Sequence, residues 1–260
     1  MTKWLVLLLG LAFTAPAHSQ TVVRVGYFDY PPTIATDKAG KPYGPLVEIW
    51  EKHLAPRGGF TVQWVGPEPF ARLLDSARKG DIDAWCQLFP NKERREWFDF
   101  PTIPIGSFNQ VIWVRQDNPM TEITSVDDIK GKPIGKLLAG FLPPFMEDNI
   151  GSLVLQEHGG SDAPVVAVRK LLLDRLWGLY FVYGDSIRYA AAKEGVLDRI
   201  KALPIRIGDP DQPIYTAMHR GIAADKKAMI LKALEASQGA YSYKALADDF
   251  IAHAKEHIGR

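Results

Sequence analysis

From residue 22 onward, runs that suit strands alternate with runs that suit helices, and this constrains the fold of the 260-residue chain more than any other feature. Val22 to Tyr27 is β-branched and apolar, and Tyr30-Pro31-Pro32 stops it. Leu46, Ile49, Trp50, His53 and Leu54 then recur at helical spacing, with Pro56 and the Gly58-Gly59 pair expected to end that helix. Phe60 to Val65 reads as a strand and Phe70 to Lys79 as a helix, its Leu73, Leu74 and Ala77 inward and Gly80 closing it. Ile82 to Cys86 reads as the next strand. An order β-α-β-α-β predicts a parallel sheet covered by helices.

A second α/β set follows. Phe108 to Val114 is extended and apolar, and Ser125-Val126-Asp127-Asp128 has the serine and early acids of a helix start. Pro133 to Leu138 is expected as a strand, Phe141 onward as a helix despite Pro143-Pro144, and Val165 to Trp177 as mostly helical. Leu179 to Tyr183 predicts a strand, Ser186 to Glu194 a helix, Ile214 to Met218 a last strand, and Asp225 to His257 a largely helical end. No flexible linker separates the two sets, which implies two lobes joined by strands that cross between them.

Lys3, an apolar run from Trp4 to Phe13, and Ala15-Pro16-Ala17-His18-Ser19 have the parts of a secretory signal peptide. The expected cut is Ser19–Gln20, with one after Ala17 as the alternative; a buried N-terminal element is the competing reading. The run is shorter than the roughly 20 apolar residues that span a bilayer, and no cysteine near the cut offers a lipid anchor. The expected location is therefore the periplasm, as a soluble protein. Lys3 is the only charge in this segment, so the remaining chain carries equal numbers of basic and acidic residues. That balance excludes a nucleic-acid or anionic-membrane partner held by bulk charge. The single cysteine, Cys86, leaves stability to a packed core, to which it is assigned.

Five stretches carry a family resemblance. They are Val25-Gly26 with Tyr30-Pro31-Pro32 and Gly40 to Glu48; Leu74 to Asp83, ending Lys79-Gly80-Asp81-Ile82-Asp83; Asn91-Lys92-Glu93-Arg94 with Phe98-Asp99-Phe100-Pro101; Ser125 to Gly135; and Gly184-Asp185-Ser186. In this order they resemble extracellular solute-binding proteins of family 3, the polar amino-acid type that serves ABC transporters. The resemblance implies the α/β type II periplasmic binding protein fold. Its lobe 1 comprises residues 20–111 and 213–260, its inserted lobe 2 residues 112–212, and its ligand cleft lies between them. It implies a monomer that closes around an amino acid or related carboxylate and delivers it to a membrane permease, without a cofactor.

By the same resemblance Arg94 grips the ligand carboxylate, for which the planar guanidinium fork is suited; the alternative is one more surface charge among Lys92 to Glu96. Asp185 meets the ligand's ammonium from the second lobe, or caps the helix from Ser186. Asn91 stands where the family's arginine motif has a threonine. Phe28 and Tyr30 offer rings to the ligand, and Trp85 does so or belongs to the core. The family's Gly-Thr-Thr-like loop corresponds here to Ala139-Gly140-Phe141-Leu142-Pro143-Pro144. Gly140 and Phe141 are expected at the ligand, but Phe141 removes a hydroxyl and the prolines remove backbone donors. A larger, flatter or more apolar carboxylate than a plain α-amino acid suits such a loop.

No enzymatic motif is present. The mature chain's histidines are scattered; His53 reads as packing, and His253 and His257 lack a third metal ligand. Two alternatives stay open: a cleft enzyme resembling cyclohexadienyl dehydratases, with Glu48, Glu147 or Asp185 as its acid, and a sensing module for a membrane signalling partner.

Overall fold

The computed structural model describes residues 20–182, 184–208 and 211–257. The signal-like segment 1–19, the end of the strand expected at Tyr183 and the last three residues of lobe 1 lie outside the described residues. The first sheet has the order Phe60–Val65, Thr21–Gly26, Ala84–Leu88, Asp211–His219, Phe98–Asp99. Its first three strands pair in parallel, as crossover helices demand. Asp211–His219 runs antiparallel between Ala84–Leu88 and Phe98–Asp99, and its start pairs with Gly106–Asn109. Val23, Val25, Trp50, Leu73 and Trp85 are fully buried around this sheet.

Two local features depart from the expected pattern. The first helix does not stop at Pro56 but continues from Pro45 to Gly58, passing through a π-helical stretch at Ile49–Leu54. The Ala55 amide reaches back to the Trp50 carbonyl, five residues away. The wider turn just before Pro56 accommodates a ring that would crowd an α-helical carbonyl. Gly59, at φ 74°, then caps the helix. The segment read as one strand from Phe108 to Val114 is divided at the buried Gln110 into Gly106–Asn109 and Val111–Arg115. These two pieces belong to different sheets.

The second sheet has the order Val154–His158, Pro133–Leu137, Gly178–Tyr180, Val111–Arg115, Ile200–Pro204. Its two edge strands, Val154–His158 and Ile200–Pro204, are absent from the sequence-based expectations. Val154, Gln156, Glu157 and Ala202 are exposed, so neither strand carries a continuous apolar run. The helix expected from Phe141 is a single turn, Pro144–Glu147, entered through the two prolines. The capping box at Ser125 is present, around a 3-10 turn. The chain returns toward the first sheet after Ile205, whose amide donates to the Gln110 carbonyl (3.0 Å). The two passages between sheets are thus hydrogen-bonded side by side. Leu137, Phe141 and Val182 from the second half pack against the core of the first.

Candidate ligand-binding cleft

The strand Ala84–Leu88 delivers its last residues to the edge where the two halves meet. Arg94 follows on a 3-10 turn, Arg94–Glu96, whose start is fixed by Asn91: its Oδ1 accepts from the Arg94 amide at 2.7 Å. Lys92, Glu93, Arg95 and Glu96 are exposed, whereas Arg94 is only 6% exposed. It is therefore not one more surface charge. Its Nη1 donates to the Phe89 carbonyl (2.9 Å), and its guanidinium lies 5.4 Å from the centre of the Phe70 ring.

Arg94 lines a cavity of about 40 Å³ together with Phe28, Tyr30, Phe70, Gln87 and Phe141. Gly140 and the backbone around it close the side toward the second half. Phe141 stacks on Phe89 across the interface, with ring centres 5.1 Å apart and an interplanar angle of 22°. A larger pocket of about 400 Å³ shares Phe28, Tyr30, Phe70 and residues 137–139 with the small one and adds Asp29 and Glu68. Tyr30 also ties the halves together: its hydroxyl lies 3.1 Å from that of Ser186, on the helix Gly184–Lys193. Burial raises the Tyr30 phenol well above its ordinary range, so it stays neutral.

Five of the eight residues expected at the ligand thus line one cavity: Arg94, Phe28, Tyr30, Gly140 and Phe141. Asn91 is not in its lining and acts through Arg94. Trp85 is fully buried behind the wall, its ring 5.2 Å from Phe70 and 6.5 Å from Phe28. Its core reading prevails, because the residue lies mid-strand rather than at the strand's end. Asp185 is also missing from the lining. It is the second residue of its helix, not the cap, and lies 3.5 Å from Arg188 Nη1. Arg188 in turn pairs with Asp248 at 2.6 Å. Burial raises the Asp185 pKa, against the pull of Arg188 and with the push of Asp248.

Gln87, Phe70 and Phe89 were not anticipated by the sequence reading. Gln87 had a signal: a lone polar residue inside a strand whose every member is buried. Glu48, paired with Lys52 at 3.2 Å, and the exposed Glu147 do not line either pocket, so neither is placed as a cleft acid. His53 packs against Tyr241, ring centres 5.1 Å apart. Among the described residues, no group of three potential ligands is suited to a metal ion.

The sequence profile of bacterial extracellular solute-binding proteins, family 3, matches residues 23–256. The chain belongs to this family. This solute-binding protein is 30% identical over 149 residues to a Bacillus subtilis protein named as a probable amino-acid-binding protein. That match covers 53% of the chain and 54% of the relative, so the chain spans about half the length of the curated relative it matches. An arginine-bound amino-acid ABC transporter substrate-binding protein from Streptococcus pneumoniae superposes with a TM-score of 0.69 at 17% identity, over 90% of this chain and 95% of its own. A histidine kinase sensor domain does so at 0.67 and 20%, over 89% and 96%. An ancestral amino-acid-binding protein described as a precursor of cyclohexadienyl dehydratase gives 0.68 and 18%, over 88% and 95%. At these identities the solved structures establish the fold, that of the type II periplasmic binding proteins. Among the described residues no helix is long and apolar enough to cross a membrane.

Proposed function

We propose that this protein closes its two lobes, 20–111 with 213–260 and 112–212, around a small carboxylate and delivers it to an ABC-type permease from the periplasm. The observation that carries this reading is Arg94. A guanidinium withdrawn from solvent and placed in the wall of an interlobe cavity offers the planar donor fork that suits a carboxylate. Its supports are built in: Asn91 fixes its turn, and the Phe89 carbonyl takes one arm of the fork. The paired passages at Gln110 and Ile205 supply a hinge about which the lobes separate to admit ligand.

The test is calorimetric titration of the purified protein with amino acids and small carboxylates, before and after Arg94→Ala. A charge-assisted bond of about 1.5–3 kcal/mol predicts at least a roughly tenfold loss of affinity for whichever compound binds. Arg94→Lys keeps the charge but loses the fork, so it should recover only part of that loss. A dissociation constant unchanged by Arg94→Ala would remove the carboxylate assignment, and consumption of the bound compound would move the reading to an enzyme.

A further inference from the structure

The helix Gly184–Lys193 of the second half has two working faces. Ile187, Ala190 and Ala191 pack into the core of its own half. Arg188, Tyr189 and Ala192 recur at helical spacing on another face and meet the C-terminal segment of the first half. Tyr189 is only 6% exposed there.

The helix Tyr243–Ala252 brings that segment across. Tyr243, Ala247, Ile251 and Ala254 form one buried apolar stripe, which continues into the 3-10 turn Ala254–His257. Tyr243 and Ala247 belong to the core of the first half, whereas Ile251 and Ala254 close on Tyr189. The stripe therefore begins in one half and ends on the other. Rings fix its far end. The centres of Phe250 and His257 are 4.1 Å apart, and Tyr189 lies 5.6 and 6.1 Å from them. Tyr43 of the first half approaches the same two rings at 5.7 and 5.8 Å.

The covalent connections give this attachment its importance. The passages at Gln110 and Ile205 are hydrogen-bonded side by side (3.0 Å), so together they act as one ribbon that can bend and twist. A third attachment, separate from the ribbon, restrains that motion. We infer that the segment Tyr243–His257 is a strap that holds the two halves together from outside the cleft, with the Tyr189 ring as its catch. Opening the cleft peels Tyr189 away from Phe250 and His257. The apparent affinity of a cleft scales with the fraction of molecules in the binding-competent arrangement, so the strap sets affinity without touching ligand. This rests on the two-lobed closing reading proposed above.

Pulsed dipolar spectroscopy between two spin labels tests it with no ligand needed. Gln63→Cys and Gln156→Cys place labels at exposed positions on Phe60–Val65 and Val154–His158, the strands farthest in their sheets from the two passages. Cys86 is 1% exposed and stays unlabelled. Tyr189→Ala should add a longer distance that the parent lacks. His257→Ala removes a ring from the other side of the contact and should add the same distance. Tyr189→Phe keeps the ring and should reproduce the parent's distribution. Each variant's circular dichroism is to match the parent's, and if Tyr189→Ala does not fold, His257→Ala decides.

A parent-like distribution in both alanine variants overturns the strap, and so does a shorter distance in either. Phe141→Ala separates the two levels of the proposal. If it lengthens the distance while Tyr189→Ala and His257→Ala do not, the halves move as lobes and the strap falls. If the distance is the same in every variant, the Phe141→Ala/Tyr189→Ala double variant included, the closing reading itself fails.

Discussion

Asp83, the last residue of the Lys79-Gly80-Asp81-Ile82-Asp83 motif, clamps three parts of the first lobe. Its Oδ1 accepts from Arg24 Nη2 at 2.9 Å, and its Oδ2 from the Arg24 amide at 2.9 Å and from Lys226 Nζ at 2.8 Å. Desolvation pushes its pKa up, but the bonds from Arg24 and Lys226 outweigh it and hold the carboxyl below its usual value. A depressed carboxylate contributes stability that is complete above the unfolded pKa, about 3.9, and is lost as pH falls through the native value. Asp83→Asn should therefore cost about 2–4 kcal/mol in denaturant unfolding at pH 7, and the difference from the parent should shrink below about pH 4. A difference that persists undiminished at low pH would mean that packing, not charge, is what Asp83 supplies. Residues of this kind were legible because their motif is local: strand end, turn and acid sit within a few positions. Arg94 was legible only through the register of several such motifs. Gln87 was not, because its buried place depends on Thr33, more than fifty positions away, whose hydroxyl takes its amide nitrogen.

At the scale of elements, two adjacent glycines at the end of the first helix serve different ends. Gly59 needs its left-handed φ of 74°, but a Cβ there would meet only Met229 Cε at 3.9 Å. Gly58 has ordinary backbone angles, yet a Cβ would lie 2.4 Å from the buried Phe60 ring and 2.9 Å from the Met229 carbonyl. It lets the first helix approach the helix Ala224–Ala236 closely. Gly59→Ala should cost about 1 kcal/mol, the strain of a left-handed alanine. Gly58→Ala should cost more, about 2–3 kcal/mol, because neither a core ring nor a backbone carbonyl can step aside. Equal costs in urea unfolding would show that the close approach relaxes readily. The sequence marked the pair as a helix stop without separating these roles, since close approach depends on a partner some 170 positions on. Buried elements with one apolar face were the most readable part of the fold. The solvated edge strands of the second sheet were the least, because their backbone pairing is hidden beneath polar side chains.

For the molecule as a whole, the lobes meet through the Phe89–Phe141 stack and the Tyr30–Ser186 hydroxyl pair, with Arg188–Asp248 as an ion pair between their helices. The ion pair is about one-third exposed on both sides and contributes little; the buried contacts are the aromatic stack and a second cluster in which Tyr189 packs against Phe250, Ile251 and His257. Phe141→Ala should enlarge the radius of gyration of the ligand-free protein in X-ray scattering; an unchanged radius would assign closure to other contacts. Two lobes were legible from two α/β sets without a linker, but not which strand completes which sheet. The strand Asp211–His219 sits inside the first sheet, flanked on both sides, although the whole second sheet is encoded before it. This arrangement sets an order for biogenesis. As the chain is made from its N-terminus, the strands of the second sheet are all available before the first sheet can acquire its missing strand. The Ala84–Leu88 edge must wait unpaired on that side while more than a hundred residues emerge. Those are the conditions under which a nascent chain is open to wrong partners, and the late strand, once in place, seals the first lobe and fixes both ends of the second.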